Sequence, residues 1–317
     1  MIPISERIEQ YLAQREVFGT GLSASAVQVL RQFAAFTVDQ EAEHVTTDLF
    51  LRWLQQPGAA SQQSWSGRLS HVRIFAGWLQ GLEPKTEVPP KDLIPAGRKR
   101  PKPYIYSDKE VVAIITEAAR LPSMQGLRGS TYATLFGLLV VTGLRISEAL
   151  GLDDDDVDTN EAVLHIRHAK NGHSRVTPIT PCTAERLLAY RPLRDRICGR
   201  VDTPAFFLGE SGRRIGIGAA EYNFFQVGQA VGLRQKTPTG HRVKGPRLHD
   251  LRHTMAVRTL IDWLRSGLDP DLEMYKLSTW LGHSNPRETY WYLEAVPELL
   301  ELARERAERA HVQRGQS

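Results

Sequence analysis

Cysteine is nearly absent from this chain of 317 residues: Cys182 and Cys198 are the only two, and they form no CxxC pair. That argues against a disulfide framework and against a cysteine-built zinc site, and it suits a reducing cytoplasm. Long apolar runs are missing as well. The most apolar stretch, Tyr132 to Leu144, is too short to span a bilayer, and Gly137 and Gly143 interrupt it. The opening residues, MIPISERIEQ, lack a basic segment followed by an apolar run, so no secretory signal and no membrane partner are expected. No charge sign dominates: 40 Lys and Arg face 36 Asp and Glu, a net charge of +4. The sequence pI of about 9.1 is a modest basic excess, which permits a nucleic-acid partner without requiring one. Placement of the charge has to decide. Internal repeats and low-complexity tracts are lacking too. What remains is 41% hydrophobic and 24% charged, enough for two domains with a core each and too apolar for wholesale disorder.

Residues 1–95 read as a small helical domain. Trp65, Leu69, Val72, Ala76 and Leu79 recur at helical spacing and predict one buried stripe. Leu30, Phe33 and Ala34 suggest another helix, and Thr46-Thr47-Asp48 a helix start. Composition then changes. Pro84, Pro89, Pro90, Pro95, Pro101 and Pro103 fall close together and keep the segment extended. Residues 96–103 form a basic linker holding Arg98, Lys99, Arg100 and Lys102. Such a stretch reads either as a solvated spacer or as a strap lying on phosphates.

Residues 104–317 read as a second domain, mainly helical with a small β-sheet. Ser107-Asp-Lys-Glu110 is a capping box before an apolar run. A helix from about Thr131 is ended by Gly143. Alternation around Val163 to His168, a turn at Asn171-Gly172 and a return from Arg175 to Ile179 predict a β-hairpin. Helices are expected at about 181–196, 219–232, 247–266, 271–281 and 297–311.

Candidate chemistry sits in four short stretches. Arg145 follows a strongly apolar helix and precedes Ile146, Ala149 and Leu150. It reads as a surface arginine paired with Glu148, or as a cation in a largely buried setting that Glu148 orients toward an anion. Lys170, beside the hairpin turn, is a solvated turn lysine or a mobile proton donor. His249 and His253 stand four apart, like the paired ligands of a zinc-protease helix. Arg252 on the same face opposes a metal and favours a phosphate, whose oxygens its planar fork matches. His283 is a helix-end histidine or a proton-transfer group. Tyr290, Trp291 and Tyr292 are core aromatics or include a nucleophile. Taken singly these signals are weak. Together, two arginines, a lysine, two histidines and a tyrosine without a carboxylate cluster suit metal-free attack on a phosphodiester, with no cofactor expected. Lys236, Arg242, Lys244 and Arg247, ahead of the His249 helix, join the linker cations as candidate DNA contacts.

These stretches, TGLRISEAL, AKNGHSRVTPI, LHDLRHT and LGHSNPRETYWYL, resemble the tyrosine recombinases, the family of phage integrases and Xer recombinases, over roughly residues 104–295. The resemblance implies an N-terminal helical DNA-binding domain followed by an α+β catalytic domain. It implies catalytic roles for Arg145, Lys170, His249, Arg252, His283 and Tyr292, with Glu148 in support. Tyr292, nine residues after His283, would form a 3′-phosphotyrosyl link, and Lys170 would protonate the departing hydroxyl. Double-stranded DNA and other copies of the chain would be the partners, in a tetramer that exchanges C-terminal helices, with partner recombinases as a further option. A cytoplasmic, nucleoid-associated enzyme is expected. A longer segment between Arg252 and His283 and the TYWYL ending resemble recombinases of mobile elements. The rivals are an Xer-type resolver of chromosome or plasmid dimers, an inactive DNA-binding relative and a zinc hydrolase.

Overall fold

Helix periodicity accounts for the first hundred residues. The computed structural model describes residues 2–56, 62–94, 102–167, 174–235, 245–283, 285, 287–302 and 304–305. The chain divides into two compact units, Met1–Pro101 and Lys102–Ser317. The first holds α1 (Ile4–Val17), α2 (Ala24–Asp39), α3 (Thr47–Leu54) and α4 (Gln62–Gln80). Side chains satisfy orphan donors where two of these helices begin: Ser23 accepts from the Ala26 N–H and Thr46 from that of Leu49. Leu69, Val72, Phe75, Ala76 and Leu79 on α4 are all buried, and Trp65 is half-buried. They share a core with Phe33, Phe50 and Trp53, whose rings pack edge-on or tilted.

The second unit begins at α5 (Asp108–Ala119), whose Ser107–Glu110 capping box forms in both directions. The apolar α6 (Arg128–Thr142) is enclosed by the main core and stops at Gly143, a left-handed residue with φ of 65°. A side chain there would be strained, and its Cβ would lie 3.0 Å from the Met255 sulfur. Next come α7 (Ile146–Gly151) and a 3₁₀ turn, Asp154–Asp156. The sheet follows: β1 (Val157–Asp158), β2 (Val163–Ile166) and β3 (Arg175–Pro178), antiparallel in the order β1-β2-β3. Leu164 and Ile166 face the core, as strand alternation requires. The remaining helices are α8 (Pro181–Cys198), α9 (Ile217–Ala230), α10 (Asp250–Arg265), α11 (Pro270–Leu281) and α12 (Arg287–Ala295). The architecture is therefore mainly helical with one small three-stranded sheet.

A separate cluster joins α10, α11 and α12 through Val257, Leu260, Leu277 and Tyr292, and residues 297–302 continue as helix. Leu299 is fully buried in that cluster while Leu300 is half exposed. Of these two neighbours, Leu299 is thus covered by its own chain and Leu300 is open. Among the described residues, no helix is long and apolar enough to cross a membrane.

Candidate active site

The carbonyl end of α11 gathers three arginines from three elements. Helix C-termini leave carbonyl oxygens unsatisfied and carry partial negative charge, so cations collect there. Arg145, at the start of α7, donates through Nη1 to Leu281 O (3.3 Å) and through Nη2 to Gly282 O (3.0 Å). Arg252, on α10, donates to Leu281 O (2.7 Å) and to Gly143 O at the end of α6 (2.6 Å). Arg175, opening β3, donates to Trp280 O (3.0 Å). Gly282 permits this approach: its φ is 65°, and a Cβ there would lie 2.8 Å from Arg175 Nη1 and 3.4 Å from Arg145 Nη1.

One carboxylate balances part of this charge. Glu148, nearly wholly buried, accepts from Arg145 Nη1 (3.0 Å), the Arg145 backbone N–H (3.0 Å) and both terminal nitrogens of Arg175 (3.2 and 2.8 Å). Burial alone would raise its pKa. The hydrogen bonds from Arg175 and Arg145 outweigh burial and hold the carboxyl below its usual range. Arg252 has no ion-pair partner among the described residues and is only 2% exposed. Burial, then the Arg145 charge, pushes its pKa down to about 10, so it is still a cation at neutral pH. Three guanidiniums facing one carboxylate form a pocket suited to an anion.

The histidines and the tyrosine lie around this pocket. His249 leads into α10 with one edge open to solvent. Crowding by protein atoms, and then Arg252, Arg247 and Arg145, push its pKa down to about 4 against a smaller rise from Asp250. His283 directly follows Gly282, and its Nδ1 meets Thr289 Oγ1 at 2.7 Å. Tyr292 is 1% exposed, and its hydroxyl lies 2.8 Å from His253 Nδ1, whereas Tyr290 is 37% exposed. The two tyrosines therefore occupy opposite sides of α12, as a 200° separation on a helix requires. His249 and His253 stack edge to face, with centroids 4.6 Å apart. No group of three or more His, Cys, Asp or Glu side chains converges on a metal position among the described residues.

Arg145, Glu148, Arg252 and the turn bearing His283 are thus brought together, with His249 alongside. Lys102 and Arg247 are exposed, and Arg247 pairs with Asp250 at 3.3 Å. Lys170, Arg98, Lys99, Arg100, Lys236, Arg242 and Lys244 lie outside the described residues. Two features were missed by sequence reading: Arg175 as part of the arginine cluster, and His253 as the partner of Tyr292. Arg175 sits in a strand where it reads as an ordinary alternating position. His253 did carry a signal, four residues after His249, but it pointed to a metal.

The phage integrase family profile matches residues 106–298. The protein y4rB of Sinorhizobium fredii, named as an integrase/recombinase, is 37% identical over 98% of both chains. The chain belongs to the phage integrase family. It is a tyrosine recombinase, a site-specific DNA-recombining enzyme. The XerC tyrosine recombinase of Chlamydia caviae is 27% identical over 82% of this chain and 74% of its own. Among solved structures, the Tn1549 transposon integrase bound to transposon right-end DNA superposes with a TM-score of 0.66 at 15% identity, covering 97% of this chain and 99% of that one. The XerH recombinase in its post-cleavage complex also gives 0.66, at 16% identity over 94% and 83%. At these identities the likeness is one of fold.

Proposed function

We propose that this recombinase cuts and rejoins double-stranded DNA through a 3′-phosphotyrosyl intermediate on Tyr292, without metal or ATP. The observation that carries the reading is the arginine pocket, where Arg145, Arg175 and Arg252 share the single Glu148 carboxylate and Arg252 is met only by backbone carbonyls, leaving positive charge in excess. A scissile phosphate in that pocket would supply the missing anion, and its developing charge would be stabilised there. Neutral His249 is suited to accept a proton or donate a hydrogen bond, and His283 is held by Thr289 at the pocket's edge. Lys170 is the proposed proton donor to the departing 5′-hydroxyl. Because the phosphodiester energy is kept in the tyrosyl linkage, the partner strand's hydroxyl can displace Tyr292 and reseal the backbone.

In the described state Tyr292 rests against His253 in the α10–α12 core. In this reading, DNA engagement releases the phenol from that socket toward the phosphate. Residues 1–95 act as the core-binding domain, 96–103 as the basic linker and 104–317 as the catalytic domain. The working assembly is a tetramer on two duplexes, with the C-terminal helix contacting a neighbour. Integration or transposition of a mobile element is favoured by the integrase/recombinase likeness at 37% identity, which exceeds that to XerC at 27%. Dimer resolution of the Xer type is the second reading, supported by that XerC likeness.

The test uses duplexes selected by binding from a random-sequence pool, nicked near the cleavage point and incubated in EDTA. A covalent protein–DNA band on a denaturing gel is expected. Absence of that band with EDTA and its return with magnesium would overturn the metal-free chemistry.

A further inference from the structure

We propose that Arg175 is a positioning residue for this chemistry: by engaging both oxygens of the buried Glu148 carboxylate, it keeps the Arg145 guanidinium available to a DNA phosphate. The inference rests on the recombinase reading above.

Arg175 sits at the start of β3, paired with Ile166 across the sheet. The side chains of Arg175 and Thr177 turn inward while Val176 is exposed, which is the period of a strand. Inward placement brings the Arg175 fork onto Glu148 at 3.2 and 2.8 Å, while its Nε holds Trp280 O at 3.0 Å. Arg145, by contrast, gives Glu148 one terminal nitrogen, and its other terminal nitrogen goes to Gly282 O. The two guanidiniums lie side by side over Gly282, so like charges are held together by the carboxylate they share.

Glu148 is 4% exposed, and a buried carboxylate that loses one partner draws harder on the other. Without Arg175, the second nitrogen of Arg145 is the nearest replacement. A guanidinium clamped by both its terminal nitrogens on Glu148 has no fork left for a phosphate. The charged groups around Glu148 are Arg145 on its own helix, Arg175 from β3 and Arg252 from α10. Asp156, His165 and Arg167 line a small cavity with it, and there Asp156 pairs with Arg167.

A pH signature separates this role from simple support of the fold. The Arg175 hydrogen bond is the largest influence lowering the Glu148 pKa, and burial opposes it. Removing Arg175 therefore raises the pKa. At low pH the carboxyl is protonated and Arg145 is released. At higher pH it is charged and Arg145 is captured.

The experiment measures single-turnover formation of the covalent adduct on the selected nicked duplex, across pH. It compares the wild type, Arg175→Met, and Arg175→Met combined with Glu148→Gln, with thermal unfolding and duplex binding followed in parallel. Arg175→Met is expected to slow adduct formation roughly 10- to 100-fold at neutral pH, the size of effect seen when a residue supporting a site ligand is lost. The deficit should narrow as pH falls. Adding Glu148→Gln should recover about tenfold, because the neutral amide can still accept from the Arg145 backbone N–H without capturing its fork. A wild-type rate in Arg175→Met, or a deficit that is flat with pH and untouched by Glu148→Gln, overturns the proposal. Should Arg175→Met fail to fold, Arg175→Lys carries the same comparison, since it keeps the charge and loses the fork. A wild-type chain that forms no adduct overturns the strand-cleavage reading itself, and this inference with it.

Discussion

Arg252 and His249 show how burial and neighbouring cations act on residues three apart at the start of one helix. Arg252 is enclosed by carbonyl oxygens rather than carboxylates, so its charge is solvated but not neutralised. Enclosure by protein atoms, and then three nearby arginines, lower the His249 pKa from about 6.5 to about 4. Its imidazole is therefore neutral at physiological pH. The folded-state value is depressed, so the stability it contributes is fully present above about pH 6.5 and is lost as pH falls toward about 4. In a pH titration followed by NMR, the His249 ring protons should shift with a midpoint near 4. A midpoint near 6.5 would show that neither its enclosure nor the surrounding arginines act on it.

Gly282 makes the same pocket an affair of elements. It ends α11 in a left-handed turn, and a Cβ there would press on the Arg175 guanidinium from β3 at 2.8 Å and touch that of Arg145 from α7 at 3.4 Å. Gly282→Ala adds left-handed strain of about 1–2 kcal/mol and pushes on Arg175, which shares Glu148 with Arg145. Thermal unfolding should show that loss, and strand cleavage should fall further than the stability change explains. Unchanged cleavage would mean that the arginine positions are not critical.

Much at this scale was legible beforehand. Ser107–Glu110 formed its capping box, Thr46 capped α3, Gly143 ended α6, and the α4 stripe was buried apart from the half-buried Trp65. Arg145 and Glu148 paired as their three-residue spacing allows. What could not be read depends on contacts between elements distant in sequence. The bond from Arg175 to Trp280 O spans 105 residues and that from His253 to Tyr292 spans 39, and no local period reports either.

For the whole molecule, the net charge of +4 is small beside what DNA binding requires, so the basic residues must act locally. Arg98, Lys99 and Arg100 fall in the sequence segment 96–103 proposed above as the linker. If the linker straps onto phosphates, replacing the three with glutamine should flatten the slope of log affinity against log salt by about 0.9 per lost contact. An unchanged slope would make it a spacer. The central claim is that Tyr292, and not Tyr290, becomes joined to DNA. The two face opposite sides of α12, with Tyr292 enclosed beside His253 and the more exposed Tyr290 better placed for casual contact. The direct measurement is mass spectrometry of the trapped adduct after nuclease and protease digestion. The account predicts a nucleotide remnant on Tyr292 and no adduct in the Tyr292→Phe chain; a remnant on Tyr290, or an adduct that survives Tyr292→Phe, would contradict it.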